Sequence, residues 1–354
     1  MNKQTLVVLA ATLLALLLSG AALAETAGVQ VGTGTLKLGG ILQAGYTYHM
    51  EDLEGEDEFS LNRARFLLWG EILPGKVKYF VQTETKGAPA ILDYKAQLFY
   101  IRNTEVTVGR FLPNFTLYMP YSTAKLEMIN YPLTTQKFAV WRQVGVQTTT
   151  KTEYVDFNLG VFNGADQPNN TGDNNDYKDF LVRADIKPPL EQGDVVFGGY
   201  AWIGMSLPTY YDAGTLTTTT YPEESLQRNR FGGFAKVDYK ASEDITARFR
   251  GEFLMASTEA LTAAEIDSVQ GTDAQAFFVH LGVQPHPRFE LLARYDFYDP
   301  NTDVEKDDES WLTGGVNYYL SKGNAMVYLN YIHKMEGGGD VDNDLVLAQV
   351  QIAF

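Results

Sequence analysis

The sequence has no cysteine among its 354 residues. Disulfides, thiolate nucleophiles and thiolate zinc sites are excluded together. Histidine is almost as scarce, and His49, His280, His286 and His333 are the full complement. No pair of them has the spacing of a helical zinc site, and no Gly-x-Ser-x-Gly elbow is present. The expectation is a protein that is no enzyme and holds neither cofactor nor metal. Basic residues are also few: 28 Lys and Arg stand against 44 Asp and Glu, a formal charge of −16. A chain this acidic lacks the basic stripe that nucleic acid requires. Beyond residue 24, no apolar run is long enough to cross a membrane as a helix.

What is present starts at the amino terminus. Lys3 precedes an apolar run from Leu6 to Leu18, and Ala22-Leu23-Ala24 closes it. Charged start, apolar middle and small-x-small end predict a secretory signal peptide, residues 1–24. Residues 25–34 are expected to be a short periplasmic segment and 35–354 a single barrel domain.

The rest of the chain alternates. In "DITARFRGEFLM", Ala247, Phe249, Phe253 and Met255 face one way, with Thr246, Arg248, Arg250 and Glu252 opposite them. A period of two means strands, and 21 Tyr and 20 Phe suit them. Arg and Glu in mid-strand cannot be buried cheaply, so their face must meet water. The opposite stripe is greasy: Phe66 and Leu68; Phe157, Leu159 and Val161; Phe180 and Val182; Leu291 and Tyr295. Sixteen such segments can be read between residues 35 and 354. Short turns such as "LPGK" alternate with long polar loops such as 207–226 and 257–272. This is the pattern of an all-β transmembrane antiparallel barrel in a Gram-negative outer membrane, among lipid and lipopolysaccharide. Several loops are acidic, including 51–58, 171–176, 301–309 and 336–344. They are expected to be solvated. Asp340, Asp342 and Asp344 have the first spacings of a calcium loop but lack its later Gly and Glu.

The phase of the strands turns Arg63, Arg65, Lys78, Lys95, Arg183, Lys236, Arg248, Arg250 and Arg294 inward as candidate pore-lining residues. Glu71, Glu84, Asp179, Asp185, Asp238, Glu252 and Asp296 turn inward with them, giving a mixed wall. The interruption at 112–137 is too apolar for a loop displayed in water. It is expected to fold into the lumen as a constriction loop carrying Tyr118, Tyr121, Lys125 and Glu127.

Residues 92–115 add a resemblance. Gly109, Arg110, Phe111, Pro113 and Phe115 match a strand end and loop of the phosphate-selective porin O/P family. The stretches "WRQVGVQ" (141–147) and 157–189, leading to Arg183, are similar to that family as well. The resemblance implies a homotrimeric outer-membrane porin for passive diffusion of small hydrophilic solutes or inorganic anions, with a phosphate-type preference. Lys125, flanked by Arg110 and Arg142, is the nearest counterpart of that family's basic ladder. An enzymatic or adhesive barrel is the alternative. The chain ends in a strand and an aromatic, and Phe354 resembles the terminal assembly signal of outer-membrane barrels.

Overall fold

The computed structural model describes residues 29–50, 57–164, 173, 175–206, 209–212, 217–220, 226–258, 261–263, 266–269, 271–321, 324–339 and 341–354. The expected signal peptide, the first residues of the periplasmic segment, most of the acidic stretch 51–58 and Asp340 lie outside them.

Sixteen strands form the wall. They are β1 (Gly34–His49), β2 (Glu58–Leu73), β3 (Val77–Glu84), β4 (Ala90–Ile101), β5 (Thr104–Phe111), β6 (Gln143–Lys151), β7 (Val155–Phe162) and β8 (Asp179–Ile186). The second half comprises β9 (Gly193–Ser206), β10 (Leu226–Lys240), β11 (Thr246–Thr258), β12 (Thr272–His286), β13 (Phe289–Asp299), β14 (Glu309–Ser321), β15 (Ala325–Glu336) and β16 (Leu345–Ala353). Each pairs antiparallel with its neighbours in sequence, and β16 returns to β1 with Leu42 opposite Ile352 and Ala44 opposite Val350. The ring must close, because lipid cannot satisfy an open edge. Val29–Val31 folds back on the start of β1. The long loops after β9 and β11 carry small hairpins of their own, Thr209–Asp212 with Thr217–Thr220 and Leu261–Ala263 with Ile266–Val269.

Alternation sorts each strand into two faces. Leu38, Phe66, Leu159, Phe180, Leu291 and Leu329 are exposed, whereas Gln43, Asn158, Arg183, Glu252, Asn330 and Gln351 are buried. A water-soluble fold would invert that arrangement; a barrel in lipid requires it. The seam is tight. Gly40 and Phe354 exchange two backbone hydrogen bonds of 3.0 Å. A Cβ on Gly39 would lie 2.4 Å from the Phe354 carbonyl oxygen, so only glycine allows this approach.

The wall is uneven. Strands β5, β6, β7 and β8 have 8, 9, 8 and 8 residues. Strands β9 to β12 have 14, 15, 13 and 15. The segment whose alternation predicts a strand over 138–150 starts late. Residues 138–142 are not part of β6: Leu133–Phe138 form a short helix, α1. Trp141 then adopts φ 48°, a left-handed conformation that ends any extension of the strand backwards.

Candidate functional site

The segment between β5 and β6 packs on the polar face of the wall. Phe115, Leu117, Tyr118, Met119 and Leu126 are almost wholly buried, with Phe111, Phe162, Tyr200, Trp202, Phe234 and Phe278 around them. Phe162 stacks on Trp202 with centroids 5.2 Å apart, and Phe115 meets Tyr200 edge-on at 5.0 Å. This apolar mass explains why residues 112–137 are so rich in large side chains. They form a core.

Polar side chains of the wall hold the segment's backbone. On β11, Glu252 accepts from Leu117 N at 2.6 Å and from the Thr134 hydroxyl at 2.7 Å. On β8, Arg183 donates to Thr116 O at 2.9 Å. On β13, Arg294 donates to Asn130 O at 3.0 Å and Asp296 accepts from Leu133 N at 3.0 Å. On β15, Asn330 accepts from Ile129 N at 3.0 Å. On β1 and β16, Gln43 and Gln351 donate to Thr123 O and Ala124 O at 3.2 and 2.9 Å. A non-helical buried backbone has to find such partners, and here they come from strands far apart in sequence.

Charge is paired under the segment. Arg250 Nη2 reaches Glu127 Oε1 at 2.8 Å and Asp238 Oδ1 at 2.7 Å. Tyr118 donates to Glu127 at 2.5 Å. Burial, then the Glu127 carboxylate, push the Tyr118 hydroxyl well above its ordinary value, so it stays a neutral donor. Arg294 pairs with Asp296 at 2.6 Å, and Arg183 with Asp185 at 2.8 Å. Arg248 bridges Asp238 and Glu290. Lys236 lies 3.7 Å from Asp238 and over the Tyr121 ring. Lys78 pairs with Glu71 near the turn after β2.

The opposite side of the polar face differs. A cavity of about 670 Å³ lies between β2, β3 and β4 and the segment. Arg63, Arg65 and Lys95 line it from the strands, and Tyr121, Tyr131, Trp141 and Arg142 from the segment. Arg65 pairs with Glu84 at 2.9 Å, and Arg142 with Asp93 at 3.0 Å. Arg63 donates to the Gln43 side-chain oxygen at 2.6 Å. Lys95 sits 5.5 Å above the Phe80 ring. Among the described residues, neither Arg63 nor Lys95 forms an ion pair. Burial pushes the Tyr131 hydroxyl up, with Arg63, Arg65 and Arg142 opposing, so it too remains neutral.

The nine basic residues picked from the sequence therefore separate. Arg63, Arg65 and Lys95 border the cavity. Arg183, Arg250 and Arg294 are 7, 4 and 3% exposed, covered by the segment. Of the loop residues, Tyr121 lines the cavity, Tyr118 and Glu127 lie inside the packed contact, and Lys125 is exposed. Sequence reasoning overlooked Asp93, Tyr131 and Trp141. Asp93 shares the face of Lys95, a signal the period of two carries. Nothing local marks Tyr131 or Trp141. Among the described residues no helix is long and apolar enough to cross a membrane, and the crossing is made by strands.

Comparison with known proteins agrees with this architecture. A family model described as Gram-negative porin matches residues 10–338. No curated protein matches the sequence. Among solved structures, the outer-membrane-expressed OmpT of Vibrio cholerae superposes with a TM-score of 0.64 at 14% identity, over 93% of this chain and 100% of that one. The anion-selective porin from Comamonas acidovorans gives 0.59 at 15%, over 91% and 100%. The channel DcaP of Acinetobacter baumannii gives 0.61 at 12%, over 93% and 100%. At these identities the likeness is one of fold.

Proposed function

This chain belongs to the Gram-negative porin family, and on that premise we propose that it forms a constricted, anion-preferring channel for small hydrophilic solutes in the outer membrane. Residues 112–142 are the constriction. Support comes from their anchors, which lie on β1, β8, β11, β13, β15 and β16. One segment reaches strands that far around a closed ring only from within it. It packs along β7 to β16 and leaves the passage beside β2 to β4.

The anion preference rests on one observation: among the described residues Arg63 and Lys95 face the passage without an ion pair, while the Asp93 carboxylate on the same wall is held by Arg142. Charge that is paired elsewhere in the wall cancels, whereas these two cations set the sign of the field in a narrow, low-dielectric channel. The reversal potential of the purified protein in a planar bilayer under a KCl gradient tests it. A potential of the sign set by chloride supports it, and one set by potassium refutes it. Conductance itself separates a channel from an enzymatic or adhesive barrel, which we do not favour because no catalytic constellation was found in the sequence.

Kinship with the phosphate-selective O/P porins rests on the matching residues of 92–189 alone. Arg110 donates to Leu92 O at 2.5 Å and Lys125 is exposed, so a ladder specific for phosphate is not part of this proposal. We also propose a homotrimer. OmpT of Vibrio cholerae has a trimer form. The low wall of β5 to β8, with strands of 8, 9, 8 and 8 residues, falls at or just below the length of about 9–11 that spans a bilayer, and it is the stretch that would face neighbouring copies. Phe354, placed at the closing seam, remains our candidate for an assembly signal.

A further inference from the structure

We propose that the cavity beside β2 to β4 is a binding site for aromatic carboxylates. This deepens the anion-preferring channel proposed above and rests on it.

The cavity has two chemically different walls. Cations come from β2 and β4, where Arg63 and Lys95 lack carboxylate partners among the described residues. Rings come from β3 and the segment: Phe80, Tyr121, Tyr131 and Trp141. Tyr131 and Trp141 meet edge-to-face at 5.8 Å, which fixes both against a ligand. At about 670 Å³ the space is of small-molecule size.

Three ligand chemistries can be weighed against these walls. An inorganic anion gains from the two cations but nothing from the rings. It would also shed water against Leu67 and Leu112. A neutral sugar can lie on a ring, yet it leaves both cations without a counter-charge. Its hydroxyls also find the Asp93 carboxylate already engaged, since Arg142 Nε and Nη2 both donate to Asp93 Oδ2 at 3.0 Å. A carboxylate on a flat apolar body satisfies both walls at once: its oxygens accept from Arg63 and Lys95, and its ring lies among Tyr121, Tyr131 and Trp141.

The experiment is a current-block titration in planar bilayers. The KCl reversal potential is measured first, then benzoate, acetate and phosphate are added separately and the half-blocking concentration of each is read. Benzoate is expected to block at roughly a tenth of the acetate concentration, the gain of about one aromatic contact. Tyr121→Leu, a half-buried position, should remove most of that difference by raising the half-blocking concentration of benzoate towards that of acetate. Lys95→Gln should weaken both. Equal potency of benzoate and acetate with the chloride preference intact overturns the aromatic site and spares the anion channel. Phosphate blocking below benzoate overturns it in favour of an inorganic-anion site. A potassium preference overturns both.

Discussion

Glu127 and Arg250 lie 123 positions apart in sequence and 2.8 Å apart in space. The pair ties the middle of the segment to β11. It is reinforced by Asp238 on the arginine and by Tyr118 on the carboxylate. Both side chains are largely withdrawn from water. Removing one would leave the other charge buried with fewer partners, which costs about 3 kcal/mol or more.

Glu127→Ala should therefore loosen the segment. The expected result is a higher mean conductance and more open-channel noise in single-channel recordings, with the barrel still folded. An unchanged trace would show that the backbone anchors at Glu252, Asp296 and Asn330 hold the segment alone.

Charge substitutions should act by location, irrespective of their shared strand phase. Arg63→Gln with Lys95→Gln is expected to bring the chloride preference close to parity, since among the described residues these two cations line the cavity without an ion pair, whereas Arg65 and Arg142 are paired. Arg248→Gln, paired with Asp238 and Glu290, should move the reversal potential much less. Equal shifts from both would mean that the passage samples the whole wall.

The seam predicts a folding defect. Gly39→Val would place a Cβ 2.4 Å from the Phe354 carbonyl and 2.9 Å from the Trp69 ring. Overpacking of this kind costs about 1–3 kcal/mol. The fraction of protein migrating as folded barrel in an unheated gel should fall, whereas Gly314→Ala, where nothing lies within 4 Å, should not change it.

The low wall can be tested with spin labels, helped by the absence of native cysteine. Leu159→Cys on β7 and Leu281→Cys on β12 are both exposed outward positions. Pulsed dipolar spectroscopy should give shorter distances between copies for a label at 159 than at 281. The reverse order would place the oligomer interface on the tall side of the barrel.

Much of the architecture was legible because it is local. Phe66 and Leu68 against Arg63 and Arg65 already separate the lipid stripe from the wet one, since successive side chains on a strand must point opposite ways. The pairing of β16 with β1 follows from the same rule plus the prohibition of a free edge in lipid. The start of β6 was not legible. The helix at 133–138 lies against β11, β12 and β13, and the left-handed Trp141 packs on Tyr131; the local pattern encodes neither contact.

What the sequence by itself determined is which side of the wall each residue takes. What only the tertiary structure decided is which inward residues meet water. Arg63 and Arg250 have the same periodic surroundings and the same phase. One borders a cavity and the other is 4% exposed beneath Glu127. The difference is made by a segment that arrives from more than a hundred residues away. Exposure depends on that partner, and the period of a strand holds no information about it.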